Sequence, residues 1–110
     1  MGKASSPAKS LFGRRLREAR LRAGIAQDKL GVMIGLDEGS SSARMSRYES
    51  GVHEPPFLWV VKMADALGVP AAYFYCDDDR LAEIMVTYSA LPEKKRKILY
   101  ASAMDLIGIT

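Results

Sequence analysis

The segment Met45-Ser46-Arg47-Tyr48-Glu49-Ser50-Gly51, preceded by Gln27-Asp28-Lys29-Leu30, decides the fold of this chain. It has the pattern of a short polar helix that ends at Gly51, because glycine readily adopts the left-handed conformation that closes a helix. Gln27 opens another short helix upstream of it. The later helix carries small and basic side chains, and such a surface is suited to contact with a polar partner.

Apolar residues recur at helical spacing along the rest of the chain, between glycine and proline breaks. A helix over about 27–34 is followed by one that begins at Ser41 or Ser42 and ends at Ser50. We expect an all-α protein in which residues 8–75 form a five-helix unit and residues 76–110 add two further helices. Residues 1–7 are expected to be a flexible leader. The last helix carries an apolar stripe, predicted to face inward, of Leu99, Ala103 and Leu106.

Basic charge is concentrated near the start of the 110-residue chain, although the net charge is only +3. Residues 55–110 hold six basic against seven acidic side chains. Residues 1–27 contain Glu18 as the single acid and seven basic residues, Lys3, Lys9, Arg14, Arg15, Arg17, Arg20 and Arg22. This half is the one expected to meet a polyanion. The major groove of double-stranded DNA is the best candidate, because it admits one α-helix.

The residue content argues against disulfide bonds, catalytic or metal sites and membrane-spanning segments. Cys76 is the only cysteine, so an internal disulfide is impossible and a reducing cytoplasm is the simplest setting. His53 is the only histidine, and no phosphate loop, nucleophile elbow or carboxylate pair is present. No apolar stretch approaches the roughly 20 residues that cross a bilayer. We expect no enzyme, no cofactor, no metal site and no membrane partner.

From Phe12 to Phe74 the chain resembles the phage-repressor (Cro/XRE-type) helix-turn-helix family. The resemblance rests on motifs in order: Phe12-Gly13, Arg15-Leu16-Arg17, Gly24-Ile25-Ala26-Gln27, Ser46-Arg47-Tyr48-Glu49-Ser50-Gly51, Glu54-Pro55 and Ala66-Leu67-Gly68-Val69. It implies a transcriptional regulator, a repressor that binds an inverted-repeat operator as a homodimer. The alternative is an antitoxin-like or adaptor protein that uses the same fold to bind protein. Residues 76–110 are the candidate contact for a second copy, a protein partner or an effector.

The resemblance also implies a scaffold for the recognition helix. In similar proteins the residues matching Arg20 and Glu49 form an ion pair between the first and third helices. A bidentate arginine–carboxylate bond fixes the angle between the two helices. The residue matching Gln27 braces a phosphate and the recognition helix in that family, through an amide that both donates and accepts.

The predicted DNA contacts lie on the third helix and just after it. With Met45 and Tyr48 inward, the residues facing the groove are Ser42, Ala43, Ser46 and Arg47. We predict that Arg47 reads a guanine, which it can grip in bidentate fashion, and that Ala43 meets a thymine methyl. Ser42 and Ser46 are predicted to bond bases or phosphates. Phosphate contacts are predicted for Arg44, and by the resemblance for Ser50, Gly51 and His53.

The chain departs from the family between Leu36 and Met45. This segment is about four residues longer than the pattern allows, since the motif normally has a turn of about three or four residues. Asp37 to Ser41 is expected to fill the turn as a polar loop. Either the second helix runs on or the turn bulges away from DNA, and the register of the base contacts depends on which occurs.

Overall fold

The computed structural model describes residues 10–108 and confirms the all-α prediction. Across that range six α-helices and one 3₁₀ helix occur without any strand: α1 (Leu11–Ala23), α2 (Gln27–Met33), α3 (Glu38–Ser50), α4 (Phe57–Leu67), the 3₁₀ helix (Ala71–Tyr75), α5 (Asp79–Ala90) and α6 (Glu93–Leu106). None of these helices combines the length and apolar character needed to cross a membrane. The predicted leader, residues 1–7, lies outside the described residues.

Helices α1 to α4 and the 3₁₀ helix enclose one apolar core. Its most deeply buried large side chains come from all five elements and are Leu16, Leu30, Met45, Val60, Met63, Tyr73 and Phe74. Phe12 packs against Phe74 with their ring centroids 5.2 Å apart, which ties α1 to the 3₁₀ helix. These five elements correspond to the predicted five-helix unit, and the fifth is a 3₁₀ helix because Pro70 and Cys76 bound a segment of only five residues.

The connection between α2 and α3 differs from the sequence prediction. α3 begins at Glu38 instead of Ser41 or Ser42, and Asp37 caps it by accepting a hydrogen bond from the Gly39 N–H at 3.2 Å. Residues 34–37 therefore form a short turn of ordinary length. The extra residues lengthen α3 at its N-terminus, and neither of the two expected outcomes, a longer α2 or a bulged turn, occurs.

Ser41 explains why the helix starts early. Its side chain is fully buried between α2 and α3, and its hydroxyl donates a 2.7 Å hydrogen bond to the carbonyl of Asp28. Gly31 lies opposite, where an added Cβ would stand 1.8 Å from the Ser41 Oγ. The two helices approach closely because Gly31 has no side chain. Ser41, which the sequence predicts as a possible helix cap, is thus a residue that packs between α2 and α3.

Helices α5 and α6 follow one another at the edge of the core, which α5 joins through Ala82, and are called here the α5–α6 arm (residues 79–106). Within residues 10–108, Ala82 is the only buried residue of α5, and α6 has none. Arg96 fastens the two helices by donating to the carbonyls of Tyr88 at 2.9 Å and Ser89 at 2.8 Å. The arm is therefore held together at its turn and touches the core mainly through α5.

The apolar stripe of α6 is not packed against the core. Leu99, Ala103 and Leu106 line an open groove of about 800 Å³ whose opposite wall includes Val69 and Pro70, just after α4. Leu106 is 86% exposed. Inward packing of this stripe is therefore absent from the isolated chain, because α6 diverges from the core and leaves the groove between them, while a contact of the stripe with a second copy or another partner stays a prediction.

Candidate nucleic-acid interface

An ion pair between Arg20 on α1 and Glu49 on α3 fixes the position of α3. The Arg20 Nε donates to Glu49 Oε2, and the Arg20 Nη2 donates to Glu49 Oε1 at 3.2 Å. The third guanidinium nitrogen, Nη1, donates to the carbonyl of Ile25 at 2.9 Å. Glu49 is only 6% exposed. A buried bidentate pair allows little change in the angle between α1 and α3.

Gln27, the first residue of α2, joins the same network. Its Nε2 donates to Glu49 Oε1 at 3.1 Å, so one carboxylate holds residues from α1 and α2 against α3. The side chain is half-buried, and its amide carbonyl takes no part in this bond. The bracing of the recognition helix expected of Gln27 is thus present in the structure, whereas its phosphate contact stays a prediction.

The outward face of α3 presents the predicted contact residues together. Met45 and Tyr48 are buried, as expected. The side chains at the predicted contact positions within the helix are all exposed: Ser42, Ala43, Arg44, Ser46 and Arg47. Ser42, Ala43 and Ser46 are small, which allows a close approach of the helix backbone to a partner surface.

The backbone N–H groups of the segment after α3 are bonded to the end of that helix. Gly51 has φ 84°, and its N–H bonds the carbonyl of Tyr48 at 3.3 Å. The N–H groups of Val52 and His53 bond the carbonyl of Arg47 at 3.0 and 3.3 Å. These donors cap the helix, so a phosphate would have to share the Gly51 N–H with the carbonyl of Tyr48, and the predicted phosphate contact of Gly51 stays a prediction. The exposed side chain of His53 remains available.

Ser50, the last residue of α3, is neither fully buried nor fully exposed. Its hydroxyl donates to the carbonyl of Arg47 at 3.2 Å. The hydroxyl oxygen still has lone pairs that can accept a hydrogen bond, but its proton is engaged. A phosphate oxygen offers only acceptors, so the Ser50 hydroxyl could bind phosphate only by giving up this internal bond, whereas the contact predicted for the Ser50 backbone stays a prediction.

The chain is also similar to known proteins. The family model described as Helix-turn-helix domain matches residues 11–73. The chain belongs to that family. The crystal structure of transcriptional regulator BswR is similar, with a TM-score of 0.80 and 42% sequence identity over 84% of this chain and 92% of that chain. A search of curated proteins gave no match.

The likeness extends beyond the helix-turn-helix domain. The first 73 of the 110 residues cannot alone account for 84% of the chain, so the matched part of BswR includes some of the α5–α6 arm. At least part of the arm therefore has a counterpart in the BswR structure.

Most arginines of α1 in this helix-turn-helix domain serve the fold itself. Arg14 and Arg15 both donate to Asp79 Oδ1, at 3.2 and 2.8 Å. Arg22 lies over the ring of Tyr73, with its guanidinium carbon 6.0 Å from the centroid. These side chains have internal partners, so part of the basic charge of α1 is used within the fold, and its contact with a polyanion stays a prediction.

The two helices of the motif carry basic side chains that form no ion pair among the described residues. Lys29 on α2 and Arg44 and Arg47 on α3 are exposed, and none has an ion-pair partner within residues 10–108. Lys29 was not among the predicted contacts, although its place two residues after Gln27 was a usable signal. The acid Asp37 is engaged at the N-terminus of α3, where the helix dipole favours negative charge.

Proposed function

We propose that this protein is a sequence-specific transcriptional repressor that lays α3 in the major groove of DNA while α2 spans the backbone. The observation that carries the proposal is the outward face of α3, where small side chains lie beside two unpaired arginines on a helix held by the Arg20–Glu49 pair. Membership in the helix-turn-helix family and the 42% identity to the regulator BswR support it.

Each residue at the proposed contact positions of α3 has a role suited to its chemistry. Arg47 grips the O6 and N7 atoms of a guanine, and Ala43 contacts a thymine methyl. Ser42 and Ser46 bond base edges or phosphates through hydroxyls that both donate and accept. Arg44 reaches a phosphate. This division makes Arg47 the main source of sequence preference and Arg44 a source of affinity without preference.

Residues flanking α3 orient the domain on the DNA backbone. Gln27 and Lys29 contact one phosphodiester strand from α2, and His53 contacts it from the segment after α3. Contacts of this kind fix the register of a protein on the duplex without reading its sequence. Gly51 contributes by ending α3, so that the following segment turns away from the groove.

Replacing Arg47 by alanine is expected to relax the base preference at one position of the half-site. The loss should be about 1–3 kcal/mol for the preferred base and close to zero for the other three, because a bidentate contact is removed. Dissociation constants measured on a set of duplexes that vary each base in turn would show this. Uniform weakening on all duplexes would place Arg47 on phosphate instead.

Arg44→Ala is the matched control on the same helix. It removes the same charge, and we expect it to weaken binding to every duplex by a similar factor. The slope of log affinity against log salt should fall by about 1, as for the loss of one phosphate contact. A change of base preference in this variant would contradict the roles given to the two arginines.

The α5–α6 arm is the proposed contact between two copies of the chain. A monomer leaves large apolar side chains such as Ile98, Tyr100, Leu106 and Ile107 mostly exposed on and just after α6. The groove beside them is apolar and open, and a second arm would cover both surfaces. A two-fold dimer would separate the two α3 helices by about 34 Å, one turn of DNA, and so match an inverted repeat.

Selection from a random duplex library at physiological salt, with sedimentation of the free protein, tests the proposal. We expect an enriched inverted repeat, a dimeric mass and an affinity that falls steeply with salt. A monomer that enriches no sequence, and that binds DNA without salt dependence, would overturn the proposal. It would favour the alternative of an adaptor that uses the same fold to bind protein.

A further inference from the structure

The α5–α6 arm is attached to the helix-turn-helix domain over a small area at its base. Within residues 10–108, α5 buries Ala82 in the core and packs Met85 and Val86 partly buried against it, all within its first two turns. The groove of about 800 Å³ separates much of α6 from the end of α4. The direction in which the arm leaves the domain therefore depends on contacts near the start of α5.

One of these contacts is a cluster of charges centred on Asp79, the first residue of α5, whose side chain is 76% exposed. Asp79 Oδ1 accepts hydrogen bonds from Arg15 Nη2 at 2.8 Å and from Arg14 Nη1 at 3.2 Å. Hydrogen bonds from Arg15, and then from Arg14, hold the pKa of Asp79 below its usual value, because both arginines favour the ionised carboxylate. Two arginines of α1 thus grip one end of α5.

Arg15 is a rigid anchor for this contact because other bonds also hold it. Its side chain is 3% exposed, its Nε donates to the carbonyl of Cys76 at 2.9 Å, and its Nη1 donates to Glu18 at 3.0 Å. The guanidinium also lies over the ring of Tyr73, 5.7 Å from the centroid. A guanidinium fixed on this many sides can set the position of Asp79.

A small rotation of α5 about its first residue displaces the far end of the helix by several ångströms. α5 has 12 residues and is about 18 Å long at about 1.5 Å per residue. A rotation of about 10° at its base moves its far end by about 3 Å, close to the rise of about 3.4 Å between stacked base pairs. A small change at Asp79 is therefore amplified to the scale of one base pair.

We infer that Asp79, gripped by Arg14 and Arg15, is a positioning residue that sets the direction of the α5–α6 arm and hence the spacing between half-sites that the dimer accepts. The inference rests on the proposed function, since it concerns a dimer on an inverted repeat. It adds a residue far from the DNA surface to those that determine which operators are bound.

The direction of the arm can be measured without DNA. Spin labels attached through Leu21→Cys on α1 and Ala101→Cys on α6 occupy exposed positions, whereas Cys76 is buried. Mixing labelled with unlabelled protein suppresses distances between labels on different copies. The mass of the labelled protein shows whether Cys76 has stayed unmodified. We expect a single narrow distance in the parent protein and a distribution broadened or shifted by about 3 Å in Asp79→Ala, as the rotation of α5 requires.

Asp77→Ala is the matched control, because Asp77 is an exposed acid two residues away that takes no part in the cluster. It should leave the distance unchanged. Asp78 still caps α5 in both variants, so both keep the N-cap hydrogen bonds of this helix. Should Asp79→Ala fail to fold, Asp79→Asn removes the charge at nearly constant size. An unchanged distance in the Asp79 variant would overturn the inference.

The functional test uses two copies of the selected half-site separated by spacers of varied length. The parent and Asp77→Ala should prefer one spacer, whereas Asp79→Ala should accept neighbouring lengths without a change in half-site sequence. An unchanged spacer profile refutes the inference while the proposed function stands. A parent protein that selects no inverted repeat refutes the proposed function, and the spin-label distances then decide whether Asp79 directs the arm.

Discussion

Replacement of Glu49 by alanine is expected to lower the free energy of unfolding by about 3–5 kcal/mol, because it leaves the largely buried guanidinium of Arg20 without its counter-charge. The pair is 11% and 6% exposed, so water cannot replace the lost carboxylate. Denaturant titration followed by circular dichroism would measure the change. The same substitution also releases Gln27, whose amide donates to Glu49, and so loosens α2 against α3.

Glu38→Ala on the same helix is the control for this result. Glu38 is exposed in the first turn of α3, and its loss should cost less than about 1 kcal/mol through the helix dipole. The double variant with Arg20→Ala should be less destabilised than the sum of the two single variants, because they remove one shared interaction. A loss below about 1 kcal/mol for Glu49→Ala would show that the pair behaves as a solvated one.

Gly13→Ala is expected to be the second large effect, with a loss of about 3 kcal/mol in the free energy of unfolding. A Cβ at Gly13 would stand 2.3 Å from the carbonyl oxygen of Glu49 and 3.0 Å from that of Tyr48. Both are backbone atoms of α3, so the clash cannot be relieved by a rotamer change. α1 and α3 would have to separate, which would also strain the Arg20–Glu49 pair.

The control for this substitution is Gly39→Ala in the first turn of α3. Its nearest neighbour would be the flexible Asp37 side chain, with Oδ2 at 3.3 Å. We expect a change within about 1 kcal/mol, and a gain is reasonable because alanine favours helix over glycine. Equal effects of Gly13→Ala and Gly39→Ala in a thermal or denaturant titration would contradict the argument from close packing.

Local patterns were sufficient to predict most of the helices and the scaffold of the site. Helical spacing and the stops at Gly24, Gly51 and Gly68 predicted elements that the structure contains, since a left-handed glycine ends α1, α3 and α4. The outward and inward faces of α3 followed from Met45 and Tyr48 alone. These features depend on neighbours within one or two turns, which a sequence shows directly.

Features that depend on distant partners could not be predicted in this way. Ser41 looks like a helix cap, and only its contact with Asp28 and Gly31 across the turn makes it a buried helical residue. Arg14 and Arg15 look like a basic surface, but their common partner Asp79 lies more than 60 positions along the chain. Nothing local distinguishes an arginine that binds phosphate from one that binds such a partner.

The residues that hold α3 and those that face outward from it are different residues. Ser41, Met45, Tyr48 and Glu49 make the buried contacts, whereas Ser42, Ala43, Ser46 and Arg47 are exposed and outside the core. Mutations on the outward face can therefore accumulate with little loss of stability. Sequence preference can drift or be re-engineered while the scaffold is retained, so a single domain of this kind can give rise to many regulators with different target sites.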